Sequence, residues 1–282
     1  MNNVLRTLLW NDQVSLTIAD TTELVCEGIR LHGLKKLSAI TFGRALSAMT
    51  FMSACLKAEK GEISLSAKGD GLGGEVAVSG NKKLCLRGYI ENTEVVEGTE
   101  NDCFGKEGSI TIIRNDGYSR PFVGSCAYTG SGDIDESIEE YFRISEQLPT
   151  KIATAVKTDE KGACVFAGVI ALQPLPFADK NILEKVESTD LYALLNGWTE
   201  ETVEQMASKA FADTSDSVWE LKKAVYRCNC SREYLLEVLT SLGEAQMRQI
   251  IKEDGAVRVH CHYCNTDYEF IETDADALFK KD

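Results

Sequence analysis

Apolar and polar positions alternate at Val14, Leu16 and Ile18, the two-residue period of a half-buried strand. From Thr22 to His32 the period lengthens to that of a helix, and Gly33 is placed to end it as the C′ residue. Leu37, Ile40, Ala45, Ala48, Met52 and Cys55 recur at helical spacing and predict a second, longer helix that stops before Gly61. Strand signals follow at Ile63–Ala67, Val76–Val78 and Leu84–Leu86. Ile110 to Arg114 and Phe122 to Tyr128 flank the turn signal Asn115-Asp116-Gly117 and predict a hairpin. Ile134, Ile138, Tyr141, Phe142 and Leu148 mark an amphipathic helix closed by Pro149, and Ile152–Val156 with Cys164–Leu172 predict another hairpin around Glu160-Lys161-Gly162.

The pattern breaks at Pro174 and Pro176. From about 179 to 222 it becomes helical and charged, with Ile182, Leu183, Val186, Leu191, Leu194 and Leu195 as its apolar positions. The last stretch predicts helices over about Ser231–Leu242 and Glu244–Asp254, then strands around Val257–Val259 and Tyr268–Phe270. There is no internal repeat. The layout is that of an α+β protein: a mixed core domain over 1–178, a helical linker over 179–223 and a small C-terminal module over 224–282.

Length and composition agree with this division. The 282 residues suggest two domains, or one with an appendage, and 44% hydrophobic with 26% charged residues is a globular balance. The net charge of −14 disfavours nucleic acid or an anionic membrane surface as a partner. No apolar run approaches a membrane span, and Met1–Arg6 lacks the basic and apolar regions of a secretory signal. We therefore expect a cytoplasmic protein.

Cysteine changes the picture most. Of the ten, Cys26, Cys55, Cys85, Cys103, Cys126 and Cys164 are scattered singly, whereas Cys228-Asn229-Cys230 and Cys261-His262-Tyr263-Cys264 form two tight pairs 30 residues apart. Such pairs in a reducing compartment point to metal or redox chemistry. Cys228, Cys230, Cys261 and Cys264 can supply four thiolates to one tetrahedral zinc ion. In an extended segment Cys228 and Cys230 share a face, and the Cys-x-x-Cys pair fits a knuckle between the two predicted strands. The module is too small to bury much by itself, so a metal would carry its stability. His260 and His262 are expected to be exposed. Cys26, Cys55, Cys85, Cys126 and Cys164 sit among apolar neighbours and are expected to be small core residues, with Cys103 exposed.

Gly69-Asp70-Gly71-Leu72-Gly73-Gly74 matches G-x-G-x-x-G, but Glu75–Ser79 reads as a strand, so it is expected to be a strand–turn–strand connection and not a dinucleotide site. No G-x-S-x-G, Walker A or H-E-x-x-H motif occurs, and with three histidines no hydrolase triad is supported; we expect no enzymatic activity. Residues 224–282 carry seven Lys/Arg against eleven Asp/Glu, the wrong sign for a nucleic-acid reader.

Cys-x-Cys followed about thirty residues later by Cys-x-x-Cys resembles the heat shock protein 33 family of redox-regulated bacterial holdase chaperones. The surrounding residues agree: Cys228-Asn229-Cys230-Ser231-Arg232-Glu233, Ile251-Lys252-Glu253-Asp254-Gly255, Tyr141-Phe142, Ser145-Glu146-Gln147-Leu148-Pro149-Thr150 and Lys68-Gly69-Asp70-Gly71 are all similar to that family. One departure is that Leu72 follows Gly-Asp-Gly where the family pattern carries proline. The resemblance implies a zinc-bound, reduced form that is inactive, with one Zn2+ on Cys228, Cys230, Cys261 and Cys264. It implies that oxidation forms disulfides Cys228–Cys230 and Cys261–Cys264, releases zinc and unfolds the redox-sensing module and the linker. The activated form, commonly a homodimer, would hold unfolding client proteins without ATP. Thiolate is the form that oxidants attack, zinc itself does not change redox state, and very short disulfide loops tend to be labile, so the chemistry suits a switch. Two other readings remain: a static zinc-stabilised interaction module, and a thiol–disulfide oxidoreductase at Cys261-x-x-Cys264. The latter would want its pair at the start of a helix, whereas strand-like residues flank this one.

Overall fold

The computed structural model describes residues 3–211 and 219–279. The chain opens with β1 (Val4–Leu9), β2 (Val14–Asp20), α1 (Thr22–His32) and α2 (Lys36–Ala54). A meander of β3 (Glu62–Gly69), β4 (Val76–Asn81) and β5 (Cys85–Ile90) leads through the short α3 (Glu100–Phe104) to the hairpin β6 (Gly108–Asn115) and β7 (Phe122–Ala127). Then come α4 (Ile134–Tyr141), the hairpin β8 (Lys151–Thr158) and β9 (Cys164–Pro174), the helices α5 (Lys180–Ser188), α6 (Leu191–Asn196) and α7 (Val203–Ala210), and the short strands β10 (Glu220–Lys222) and β11 (Val225–Tyr226). The chain ends in α8 (Arg232–Thr240), α9 (Glu244–Asp254), β12 (Val257–Cys261), β13 (Thr266–Phe270) and α10 (Glu272–Leu278). It divides into two compact units, Met1–Arg227 and Cys228–Asp282.

The first unit is built on two sheets, ordered β10-β1-β2-β9-β8 and β11-β5-β4-β3-β6-β7. α2 packs against strands of both. Apart from Lys36 and Arg44, its residues are apolar or small on every side, and nearly all from Ser38 to Ala54 are buried, as a central helix requires. In the five-stranded sheet both faces are covered. Ala19, Val169 and Ala171 face the cluster around α2, while their neighbours Ile18, Ile170 and Leu172 face Val186, Leu191, Leu195, Val203 and Met206 of α5, α6 and α7. That is why β9 reads as an unbroken apolar run and not as an alternation. The six-stranded sheet is one-sided: Ile63, Leu65 and Ala67 are buried, and Ser64, Ser66 and Lys68 alternate with them.

Polar contacts also fix α6 onto this unit. Arg44 of α2 is buried and its guanidinium reaches Asp135 at 2.9 Å and Asp133 at 3.0 Å. The Tyr192 hydroxyl on α6 donates to the same Asp135 carboxylate at 2.8 Å. At the other end of α6, the Lys157 ammonium donates to the carbonyls of Asn196 at 2.9 Å and of Leu195 and Trp198 at 3.2 Å, a cation where the helix dipole is negative.

Three expectations need correction. The linker is not helical throughout: α5, α6 and α7 are short, residues 212–218 lie outside the described residues, and 220–222 pair as a strand with β1. The helix read over Ile134–Leu148 is α-helical only to Tyr141 and widens into a π turn over Phe142–Glu146, ending at Gln147 with φ 52°. Cys103 is buried, not exposed, because the amphipathic turn of α3 presents Cys103 and Phe104 inward. The glycine loop is the strand–turn–strand connection expected, and its glycines serve packing: a Cβ on Gly71 would lie 2.3 Å from the Phe104 carbonyl carbon.

Candidate metal centre

Among the described residues, the second unit buries seven hydrophobic side chains: Ala256, and a cluster of Leu239, Met247, Ile251, Val257, Phe270 and Ala275. Around this small cluster the chain positions four cysteines. Cys228 and Cys230 lie in the segment leading into α8, whose N-cap Ser231 accepts from the Tyr234 N–H at 3.1 Å. Cys261 ends β12, opposite Thr266 of β13. Between them the chain turns tightly: the Asn265 and Cys264 N–H groups donate to the Cys261 carbonyl at 2.8 and 3.3 Å, and Asn265 takes the left-handed φ of 53°.

The four sulfurs all lie within 4.8 Å of one another. Cys228 Sγ is 3.7 Å from Cys261 Sγ, and Cys230 Sγ is 3.2 Å from Cys264 Sγ. Four sulfurs about 2.3 Å from a tetrahedral ion stand about 3.8 Å apart, so this donor set fits zinc. The shell beyond the sulfurs is polar. The Cys230 N–H donates to Cys228 Sγ at 3.5 Å, the Tyr268 hydroxyl lies 3.3 Å from Cys230 Sγ, and Thr266 Oγ1 lies 3.3 Å from Cys264 Sγ. Burial works against a charge on Cys230, but hydrogen bonds from Tyr268 and the neighbouring thiols outweigh it and bring its thiol down to about 7. Burial pushes Cys228 and Cys264 up. Cys230 is thus more readily present as thiolate than Cys228 or Cys264.

His260 and His262 are exposed; His260 Nδ1 lies 2.7 Å from an Asp267 carboxylate oxygen, and the cluster consists of the four cysteines. Of the scattered cysteines, Cys103 and Cys126 are buried and Cys26, Cys55, Cys85 and Cys164 half-buried. Tyr268 and Thr266 were not singled out from sequence. The signal available was partial: Thr266 and Tyr268 stand two residues apart just after Cys264, the period that puts strand residues on one face.

The fold and site define an α+β protein with a four-cysteine cluster in a small terminal unit. Among known proteins, the model of the Hsp33 protein family matches residues 2–271, and the chain belongs to that family. It is 30% identical over 288 residues to the 33 kDa chaperonin of Bacillus mycoides (strain KBAB4), covering 99% of this chain and 98% of the relative. To the 33 kDa chaperonin of Clostridium perfringens (strain SM101 / Type A) it is 30% identical over 291 residues, with 99% and 92% covered. The crystal structure of the 33 kDa chaperonin (Heat shock protein 33 homolog) of Thermotoga maritima superposes with a TM-score of 0.83 at 24% identity, over 99% of this chain and 98% of that one. Family and relatives alike are those of a chaperone. No helix among the described residues is long and apolar enough to cross a membrane.

Proposed function

We propose that this chain is a redox-regulated holdase: a cytoplasmic, ATP-independent chaperone, not an enzyme, whose reduced form holds one Zn2+ through Cys228, Cys230, Cys261 and Cys264 and is inactive. The observation that carries the reading is four sulfurs gathered within 4.8 Å in a unit with only seven buried hydrophobic residues among those described. Zinc bound there would supply folding energy that this core does not.

Oxidation of each cysteine pair gives up two electrons. With peroxide, two thiolates become one disulfide and the peroxide, taking up two protons, becomes two waters. Each disulfide removes two ligands. In the folded site Cys228 Sγ lies 3.7 Å from Cys261 Sγ and Cys230 Sγ 3.2 Å from Cys264 Sγ, so cross-pair contacts are also available there. Once the unit has lost its ion and unfolded, loop closure favours the partners nearest in sequence, Cys228–Cys230 and Cys261–Cys264. Loss of structure after Cys228 would then loosen the linker and free the apolar face of the five-stranded sheet, including Leu16, Ile18, Ile170 and Leu172, to hold unfolding clients. The net charge of −14 would keep such complexes soluble, and a homodimer is the expected active form. The test is zinc and free-thiol stoichiometry before and after peroxide, with light scattering of a thermally unfolding client in parallel. Reduced protein that suppresses aggregation as well as oxidised protein does would leave only a static zinc module.

A further inference from the structure

The strand β11, two residues before Cys228, closes one edge of the six-stranded sheet. It lies parallel to β5, with Val225 beside Cys85 and Tyr226 beside Leu86. The Val225 N–H donates to the Leu84 carbonyl at 2.9 Å and the Arg227 N–H to the Leu86 carbonyl at 2.8 Å. The next position along that edge is filled by a side chain. The Tyr226 hydroxyl donates to the Gly88 carbonyl at 2.9 Å and lies 3.3 Å from the Gly88 N–H, so a phenol continues the ladder that the main chain leaves off. The same hydroxyl is 3.1 Å from His32 Nε2 of α1. The ring passes against Gly28 of α1, where a Cβ would come within 3.0 Å of it.

We propose that the β5 edge, with the slot beside Gly28 and His32, is a binding site for extended segments of unfolded polypeptide that carry a tyrosine, and that Val225–Tyr226 is its resident occupant. The proposal rests on the holdase reading for the step that vacates the edge. Three features favour this partner. Edge pairing uses main-chain groups, so it tolerates the varied sequences of unfolded chains, while the slot adds a preference for one side chain. β11 pairs with only two of the six residues of β5, so a longer segment gains main-chain bonds that the resident lacks. The resident competes through its tether, and that advantage falls when the chain beyond Arg227 is no longer folded. An edge so opened is the kind of surface that folded proteins keep covered.

The probe is a fluorescent peptide spanning residues 220–227, added to the full-length chain and followed by anisotropy. Oxidised chain should bind it, and reduced, zinc-loaded chain should not. The same peptide with Tyr226→Ala should bind roughly tenfold more weakly, as expected for a lost ring and hydrogen bond. In the reduced full-length chain, Tyr226→Ala should open the edge and allow peptide binding with one zinc and all thiols retained, and Tyr226→Phe should have a smaller effect. Bound peptide should restore slow exchange at the Gly88 amide. If oxidised chain suppresses client aggregation yet neither it nor the Tyr226→Ala chain binds peptide, the edge proposal falls and the holdase reading stands. If oxidation yields no suppression but the Tyr226→Ala chain binds peptide, the site stands and the redox switch falls. Tyr226-dependent dimerisation without peptide binding would make a second copy the occupant and overturn the proposal.

Discussion

Replacing Trp198 by alanine should undock the linker without touching the metal centre. Trp198 is 2% exposed, meets Phe166 of β9 edge-on at 5.4 Å, and its indole N–H donates to the Glu201 carbonyl at 2.8 Å. Its own carbonyl is one of the three that Lys157 holds. Truncating a buried tryptophan costs about 3–5 kcal/mol. Because α6 has only six residues, that loss should fall on local docking before it reaches the rest of the unit. At about 1.4 kcal/mol per tenfold, the undocked population should rise roughly 10²- to 10⁴-fold. Hydrogen exchange on reduced, zinc-loaded Trp198→Ala should therefore accelerate over 180–210 while amides of α2 and β2 keep their wild-type protection. Zinc stoichiometry should remain one per chain, and on the proposed function the reduced variant should already suppress client aggregation. Equal acceleration in α2 and β2 would mean that the linker is no separate cooperative element. Local acceleration without any gain of chaperone activity would refute linker docking as the restraint.

Replacing Cys261 and Cys264 together by serine should abolish zinc binding and remove about 10–16 kcal/mol of apparent binding energy; amides after 228 should then exchange as in an unfolded chain, while near-UV dichroism of the first unit persists. Disulfide mapping of peroxide-treated protein should recover Cys228–Cys230 and Cys261–Cys264, and a predominance of Cys228–Cys261 or Cys230–Cys264 would contradict the loop-closure argument. Glu139 of α4, whose carboxylate accepts from the Ile152 N–H at 2.8 Å, is pushed up to about 7 by burial, with Asp135 and Glu136 adding to the effect and Lys151 opposing it. Its contribution to stability is fully present below its ordinary value of 4.5 and is lost as pH rises through about 7, so Glu139→Gln should raise stability at pH 8 by about 1–2 kcal/mol, discounted for the solvent that reaches the group, and change nothing at pH 4.

The four-cysteine cluster was legible because ligand chemistry imposes spacing: two pairs at x and x-x separations have few structural uses besides a shared ion. Helices such as α1 and α2 were legible because their apolar residues repeat over eleven and nineteen positions. β1 was not read, since Leu5 and Leu9 face one cluster and Val4 the other, and a strand buried on both faces loses its alternation. β10 and β11, at three and two residues, are too short to carry any period; they are strands because β1 and β5 offer edges to pair with. Cys103, in Asp102-Cys103-Phe104-Gly105, was expected to be exposed. The Thr99–Asp102 capping box instead starts a helix there, and α3 turns the cysteine inward.

The stretch from Glu220 to Tyr226 therefore holds more than its length suggests. It closes the edge of the five-stranded sheet through Leu221 opposite Leu5, and the edge of the six-stranded sheet through Tyr226 beside Leu86. Neither strand has enough residues to persist alone, so each depends on being held close to its edge. On one side that hold comes from α5, α6 and α7 packed on the five-stranded sheet; on the other the chain runs directly into Cys228. A change at the four sulfurs and a change in linker docking thus converge on the same seven residues. If the proposed switch operates, its structural output should be read there first. Exchange at the Leu221 and Val225 amides should rise on oxidation no later than exchange within α6, since α6 retains Lys157 and Tyr192 as anchors of its own. An oxidised chain in which α6 opens while Val225 stays protected would place the first release at the linker and remove the short strands from the pathway.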